Sequence, residues 1–325
     1  MYDILTIGTA SLDFFIYYKK SVKEKENIVL PFDFKTDVEK ANFFIGGGAI
    51  NTALSFKNLG FNVATYIQLG KDFLGDYIKK ELEKRKIKYF VDYSKKTTAF
   101  SFFIKTEKED DVIFVHRGAS EKLEFKDVKK IKKIKVKNVY IGPSLSKIAV
   151  LKSITSYFKK NNIFLAWNPS YFQASLGIFQ IKAVLNNLDV LILNKKELEA
   201  LTNEKDLEKQ IEIIIKNFNG ITLITLGKEG SICIFKDKIY KAETFFEKQV
   251  VDKTGAGDAF SSAFLGALIL KKDIKEALRW GSANATSTIE HLGANVGHLK
   301  KQDYNKLRWQ KFKVIVSNLN EREKI

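Results

Sequence analysis

Short apolar runs that break at glycine, asparagine or proline recur along the chain, with stretches of helical spacing between them. Tyr2 to Gly8 is the first such run, and Asn62 to Gln68 follows later. Val136 to Ile141 stops at Gly142-Pro143-Ser144, Ile163 to Trp167 at Asn168-Pro169, Val190 to Leu193 at Asn194, and Leu223 to Thr225 at Leu226-Gly227. Runs bounded in this way read as strands. Ala49 to Leu59 (closed by Gly60), the stretch running through Arg85, and Lys147 to Lys160 read as helices. Strand–helix alternation predicts right-handed βαβ units, a parallel sheet, and ligands at the carboxyl ends of its strands. Every terminus named above falls on that edge.

Two segments interrupt the alternation. Phe14 to Tyr18 is aromatic and strand-like, 19–27 is charged and reads as a loop, and Ile28 to Phe44 alternates loosely. Thr97 to Lys105 and Asp111 to Val115 read as strands around a charged tip, Thr106 to Asp110. These segments predict a small sheet from 14–43 and 91–117, apart from an α/β domain of 1–13, 44–90 and 118–310. Residues 311–325 read as a charged carboxyl-terminal segment. Cys233, inside the apolar alternation Ser231 to Phe235, reads as a buried strand thiol.

Candidate chemistry concentrates at Asp252-Lys253-Thr254-Gly255-Ala256-Gly257-Asp258-Ala259-Phe260. Ala259, Phe260, Ala263, Phe264, Ala267 and Leu268 recur at helical spacing, so this is a glycine-rich loop feeding a buried helix. The N–H groups of Gly255, Ala256 and Gly257 would form an anion site at the positive end of that helix. Asp258 beside it supplies a base, the combination that phosphoryl transfer to a hydroxyl needs. The plain alternative is a helix start with Asp258 serving the dipole. Ile45-Gly46-Gly47-Gly48-Ala49-Ile50-Asn51 is a second glycine-led helix start, suited to a polyhydroxylated ligand or simply to close packing. Asn194 and Glu197 share one helical turn, as a polar site or as an N-cap with its capping-box glutamate.

Composition removes several other classes. The 325 residues are 45% hydrophobic, enough for a substantial core. No apolar run reaches the roughly 20 residues of a membrane span. The amino terminus has no basic n-region ahead of its first strand, so no signal peptide is expected. A single cysteine excludes an internal disulfide framework and points to a reducing cytoplasm. The net charge of +17 is carried by dispersed lysines, with arginine only at Arg85, Arg117, Arg279, Arg308 and Arg322, which weakens a nucleic-acid reading. The chain has neither a Walker-type P-loop nor a Gly-x-Gly-x-x-Gly after its first strand.

The pattern Asp-x-Thr-Gly-Ala-Gly-Asp-x-Phe at 252–260, with the triple-glycine stretch at 46–51, closely resembles the ribokinase-like (PfkB) carbohydrate kinase family. The resemblance runs from Gly8 to about Gly297. It implies a doubly wound, mostly parallel sheet with a small β lid, transferring the γ-phosphate of ATP to a hydroxyl of a sugar or sugar acid. A nucleoside kinase of the same family, with Phe14, Phe43 and Phe102 as a stacking wall, and a noncatalytic binding protein that kept the fold are the alternatives. By resemblance Asp258 is the base, with Gly255, Ala256 and Gly257 as the anion hole. Asp13, Gly47, Gly48 and Asn51 would meet the substrate, although some sugar-specific members carry lysine at the place of Gly48. Arg117, where the lid rejoins the body, reads either as a clamp on an acidic or hydroxyl group of the substrate or as half of a surface ion pair. Asn194, Thr225, Gly227, Gly230 and Asn284 would meet the nucleotide. Glu197, with Asn194, would stand in the outer shell of Mg2+. Asp252 and Thr254 match positions where some relatives bind a monovalent cation such as K+. Lys253 replaces a commoner threonine, with a side chain that need not enter the site. An apolar outer face on the lid would imply a homodimer through it.

Overall fold

The computed structural model describes the chain apart from residues 19–21, 25–26, 30–34, 36, 107–110, 122, 124–127, 246–247 and 319–325. In chain order its strands are β1 (Tyr2–Ile7), β2 (Ser11–Tyr17), β3 (Val22–Glu24), β4 (Asn27–Val29), β5 (Lys40–Gly46), β6 (Val63–Gly70), β7 (Lys88–Ser94) and β8 (Ala99–Lys105). They continue as β9 (Asp111–His116), β10 (Val136–Ile141), β11 (Phe164–Trp167), β12 (Val190–Asn194), β13 (Ile221–Thr225), β14 (Ser231–Phe235), β15 (Lys238–Ala242) and β16 (Val314–Asn318). Ten of them form one sheet in the order β16-β15-β14-β13-β12-β11-β10-β1-β6-β7. From β13 to β7 every pairing is parallel, and β14, β15 and β16 run antiparallel at one edge.

Helices cover both faces, so the central strands bury side chains on alternate sides. Ile4 joins a core with the helices Gly48–Asn58, Ala256–Ile269 and Ile274–Ile289, while Leu5 and Ile7 join a core with Ile148–Lys160 and Leu207–Asn217. The Ala256–Ile269 helix is buried all round from Ala259 to Ala267. A helix rich in alanine and glycine can pass between two others only because its side chains are small. Strand order reverses between β1 and β10, and that switch point is where doubly wound sheets bind ligands. Among the described residues no helix is long and apolar enough to cross a membrane.

The separate sheet has the order β5-β2-β8-β9 and leaves the body at the carboxyl ends of β1 and β7. Its bounds differ from expectation at two points. Val91 to Ser94 belong to β7, an edge strand of the large sheet, and β2 begins at Ser11, so Asp13 is a lid-strand residue. Val22–Glu24 is a strand where a loop was expected, its partner Asn27–Val29 runs into the stretch that reads as strand-like, and residues 107–110 of the charged tip lie outside the described residues. The carboxyl-terminal segment supplies β16 through Asn318, and its last residues are not described. Arg279 anchors the approach to it, donating to the carbonyls of Tyr304 (2.9 Å) and Trp309 (2.8 Å).

Period-two alternation divides the lid's side chains. Asp13, Phe15, Phe44, Ser101, Phe103 and Lys105 share one face, and Asp13, Phe15, Phe103 and Lys105 are buried. Phe14, Phe43, Phe102 and Phe114 share the other face, with Phe43 and Phe114 more than half exposed. The stacking wall expected of Phe14, Phe43 and Phe102 therefore stands on the opposite side of the lid from Asp13.

Candidate active site

The helix Gly48–Asn58 is fastened to the end of β1. Thr9 Oγ1 accepts from the Gly48 N–H (3.0 Å) and the Thr9 carbonyl from the Ala49 N–H (3.1 Å). Gly47, at φ +89°, makes this approach feasible, because a Cβ there would lie 2.6 Å from the Thr9 carbonyl oxygen. Gly48 then faces Pro143 at the end of β10 and Asp258 across the switch point; a Cβ on Gly48 would stand 3.5 Å from Asp258 Oδ1. Within the same helical turn, Asn51 Nδ2 donates to Asp258 Oδ2 at 2.9 Å. Asn51 Oδ1 in turn accepts from Asn295 Nδ2 (3.1 Å), which also donates to the Ile45 carbonyl. Two segments distant in sequence thus hold one carboxylate in a fixed direction.

Asp258 is the third residue of its helix, yet it does not cap it. The N-cap is Gly255 and makes no side-chain cap bond. Burial pushes the Asp258 carboxyl up from the usual 3.8 to about 6, opposed by the Asn51 hydrogen bond. The carboxylate retains some solvent access, as a base meeting a substrate must, and water there moderates the penalty of its charge. Asp13 is also raised to about 6. Burial is the main cause, hydrogen bonds from Ser11 and Ser101 oppose it, and the Asp252 carboxylate adds to it.

Beyond Asp258 a cavity of about 460 Å³ opens in front of the helix start. Its walls include Ala256 and Gly257, Thr225, Gly227 and Gly230 from the end of β13 and the turn after it, Phe245, and Ser282, Ala285 and Thr286 of the Ile274–Ile289 helix. The volume suits a nucleotide. It joins the expected anion hole to three of the expected nucleotide residues. Gly257 lines it, and an ideal Cβ there meets only open space, whereas Gly255 does not line it and backs against Ala294. Of the three expected donors, the Ala256 N–H makes a long bond (3.4 Å) to the Lys253 carbonyl.

Glu197 sits deeper on the same edge and is buried. With Asn194 it forms a complete capping box: Asn194 Oδ1 accepts from the Glu197 N–H and Glu197 Oε2 from the Asn194 N–H, both at 2.9 Å. Asn168 Nδ2, at the end of β11, donates to the same Oε2 (3.2 Å). Burial raises the Glu197 pKa, the hydrogen bonds from Asn194 and Asn168 lower it, and the charge of Asp258 raises it further. The cap alternative is therefore real here, and it does not displace the other role. A buried carboxylate within electrostatic reach of Asp258 suits a cation coordinated mainly by phosphate and water.

Several expected residues stand elsewhere. Asn284 is fully buried with its amide spent on Ser55 Oγ, the Ala259 carbonyl and the Leu299 N–H, so it stitches helices together and faces away from the cavity. Its neighbours one and two residues away, Ser282, Ala285 and Thr286, line the cavity instead; the helix was read correctly but not its rotation. Lys253 lines that cavity together with Lys228, against the expectation that its side chain stays out. Arg117 is exposed and lines a separate surface cavity with Lys96, His116 and Glu121. Asp252 is committed on both oxygens, Oδ1 accepting from Thr254 N–H (3.1 Å) and Oγ1 (2.7 Å) and Oδ2 from Gly293 N–H (3.0 Å). The Lys105 ammonium stands 3.6 Å from Asp252 Oδ1, so a second cation at this carboxylate would meet like charge. These residues do not fit a free monovalent ion.

Thr9, Asn168, Asn295 and Lys105 were missed as contributors. Thr9 and Asn168 do end or follow strands on the ligand edge, a signal that was available. Asn295 and Lys105 act through contacts that only the tertiary fold creates.

Known proteins share this fold and part of its sequence. The chain is 28% identical over 311 residues to an ATP-dependent 6-phosphofructokinase of Thermoanaerobacterium thermosaccharolyticum, covering 91% of this chain and 90% of that one. It is 24% identical over 295 residues to a nucleoside kinase of Methanocaldococcus jannaschii, covering 90% and 92%. The structure of Arabidopsis thaliana ribokinase complexed with ribose and ATP superposes with a TM-score of 0.75 at 20% identity, covering 94% of this chain and 98% of that one, which establishes the shared fold. The family model described as pfkB family carbohydrate kinase matches residues 1–301, a span that contains both glycine-led helices, the lid and Asp258. The chain therefore belongs to the pfkB family of carbohydrate kinases, phosphotransferases with a hydroxyl acceptor.

Proposed function

We propose that this protein transfers the γ-phosphate of ATP to a hydroxyl of a small sugar or sugar acid held between the lid and the carboxyl edge of the large sheet. The observation that carries the reading is the Asn51–Asp258 hydrogen bond, which fixes one carboxylate on the residue that directly follows Ala256 and Gly257 of the cavity wall, where acceptor and donor would meet. ATP lies in the cavity with its phosphates toward Ala256 and Gly257. Asp13 and Asn51 orient the acceptor. Asp258 takes the hydroxyl proton as the oxygen attacks, and the N–H groups at the helix start stabilise the charge that develops on the transferring group. Glu197, with Asn194 beside it, would hold through water a Mg2+ that enters with ATP, and that ion would supply neutralising charge at the phosphates. Lys228 and Lys253, at the cavity wall, add positive charge along the phosphates' path. A sugar-like acceptor is favoured over a nucleoside, because the aromatic wall proposed for a base lies on the far side of the lid. That same outer face, carrying Phe43 and Phe114, is the surface on which a second copy would pair.

The reading is tested by thermal-shift screening with Mg-ATP, sugars, 2-keto-3-deoxygluconate and nucleosides, followed by assays of ADP release on every ligand that raises the melting temperature. Stabilisation and turnover with a sugar or sugar acid are expected. Turnover with nucleosides alone would move the assignment to the nucleoside kinases, and no turnover with any acceptor would leave a binding protein.

Glu197 gives a second check. Glu197→Ala removes half of a capping box, costing about 1 kcal/mol, and also the carboxylate beside the phosphates. Turnover should collapse at limiting Mg2+ and recover at high Mg2+, with the apparent Mg2+ affinity about 10–100-fold weaker. Lower stability with an unaltered Mg2+ titration would reduce Glu197 to a helix cap.

A further inference from the structure

Lys105 ends β8 on the inward face of the lid, the face that carries Asp13. Its side chain is buried, and its ammonium lies 3.6 Å from Asp252 Oδ1 and 5.7 Å from the centre of the Phe15 ring. Asp252 is itself 3% exposed. A buried lysine opposite a buried aspartate is costly to form and still costlier to break from the lysine side, since removing the ammonium takes a counter-charge away from a buried carboxylate. Asp252 is also the clamp of the anion-binding loop. It fixes the Thr254 N–H and Oγ1 on one side and the Gly293 N–H on the other. Thr254 leads directly into Gly255, and Ala294, the residue after Gly293, backs against Gly255 so closely that a Cβ there would fall 2.3 Å from the Ala294 carbonyl oxygen. Whatever neutralises Asp252 therefore sets the geometry of the amides that receive the phosphate.

We propose that Lys105 is the chain's own monovalent cation at Asp252: its ammonium, carried in by the lid, takes the part that a free potassium ion would otherwise play and joins lid position to the order of the anion-binding loop. Lys105 is thereby a positioning residue, acting on the phosphate through Asp252 and the loop. A tethered ammonium also differs from a dissolved ion in its dependence on the lid. Displacing β8 from the body withdraws the charge, and Asp252 then loses its counter-ion while the cleft is open.

The activity arm of the test rests on the kinase reading; the melting arm does not. The full-length protein is melted, and its turnover measured, in KCl, NaCl and tetramethylammonium chloride at equal ionic strength. The parent should show the same melting temperature and the same kcat in all three. Lys105→Met should melt lower in tetramethylammonium, regain part of the loss in KCl but not in NaCl, and lose about 10–100-fold in kcat with little change in KM for ATP, the usual cost of removing an outer-layer partner. Lys105→Arg keeps the charge and should retain salt indifference. Activation or selective stabilisation of the parent by K+ would overturn the proposal, and so would a Lys105→Met protein with parental turnover and no response to K+. If Lys105→Met does not fold, the parent's salt comparison and Lys105→Arg still decide. Failure of the kinase reading looks different: the parent turns over no acceptor in any salt, while its melting curves still report on the cation.

Discussion

Asp258→Asn should yield a protein that still binds acceptor and Mg-ATP but turns over about 10²–10⁴-fold more slowly, the usual range for loss of a positioned general base. That corresponds to roughly 2.7–5.4 kcal/mol of transition-state stabilisation. The amide can still accept from Asn51 through its oxygen, and the cavity behind it is unaltered, so KM values should move little. The same substitution should raise the melting temperature. In the folded protein the carboxyl titrates near 6, above its value of 3.8 in an unfolded chain. A folded-state pKa that is raised means the native state prefers the protonated form. The stability this gives is fully present below about pH 4 and is lost as pH rises through about 6, so at neutral pH the native state carries an unfavourable charge. Asparagine relieves it, by about 1–3 kcal/mol once the carboxylate's partial solvent access is allowed for. A residue serving only the helix dipole would behave oppositely, costing stability and sparing turnover. The parent's kcat/KM should fall on the acid side with a limb near pH 6, steeper than one proton because Asp13 titrates in the same window. Melting curves, and pH–rate profiles between about pH 5 and 8, check both halves; near-normal turnover of Asp258→Asn would sink the catalytic assignment.

Gly255→Ala should be nearly as damaging to turnover, by a different route. Gly255 holds φ +78° at the N-cap of the Ala256–Ile269 helix. Alanine adopts that region at a cost of about 1–2 kcal/mol. Its methyl group would also lie 2.7 Å from Ala294 Cβ and closer still to the Ala294 carbonyl. The loop or the helix start must shift, and a displaced amide no longer meets the phosphate. Losing one such donor costs about 10²–10³-fold in kcat. Gly257→Ala, where a Cβ meets open space, is the control and should remain folded with the parental melting temperature. A Gly255→Ala enzyme with full activity would mean that the amides at this helix start do not hold the transferring group.

Much of this was legible because strand–helix alternation and glycine punctuation are local properties. The strand ending at Ile141, the helix closed by Gly60 and the buried helix after Gly257 each stood within a residue or two of their expected places. The antiparallel strands at one side of the sheet were not. Lys238–Ala242 was assigned to no element, and Val314–Asn318, the edge strand, lay inside the segment read only as charged. At the site, Asp258, Asn51 and Glu197 were legible through motif spacing. Which side of a helix or strand faces the ligand was not, because that is fixed by partners far along the chain. Asn284 and Phe14 fell on the wrong side for this reason, and Lys105 carried no signal beyond being one lysine among many.

The Asn51–Asp258 bond spans 207 residues and the Asn51–Asn295 bond 244. During synthesis the amino-terminal half, with the glycine-led helix start at Gly47 and Gly48, emerges long before the helix that bears Asp258. β1, third from one edge of the large sheet, must likewise wait for β10 to cover its second side. Such long-range pairing folds slowly and leaves strand edges open meanwhile. On the proposed mechanism, a growing or prematurely ended chain that stops short of residue 255 contains neither phosphate cradle nor base, and should not consume ATP whatever else it has folded. Competence arrives only when the last third of the chain docks, so chemical activity itself reports that folding is complete.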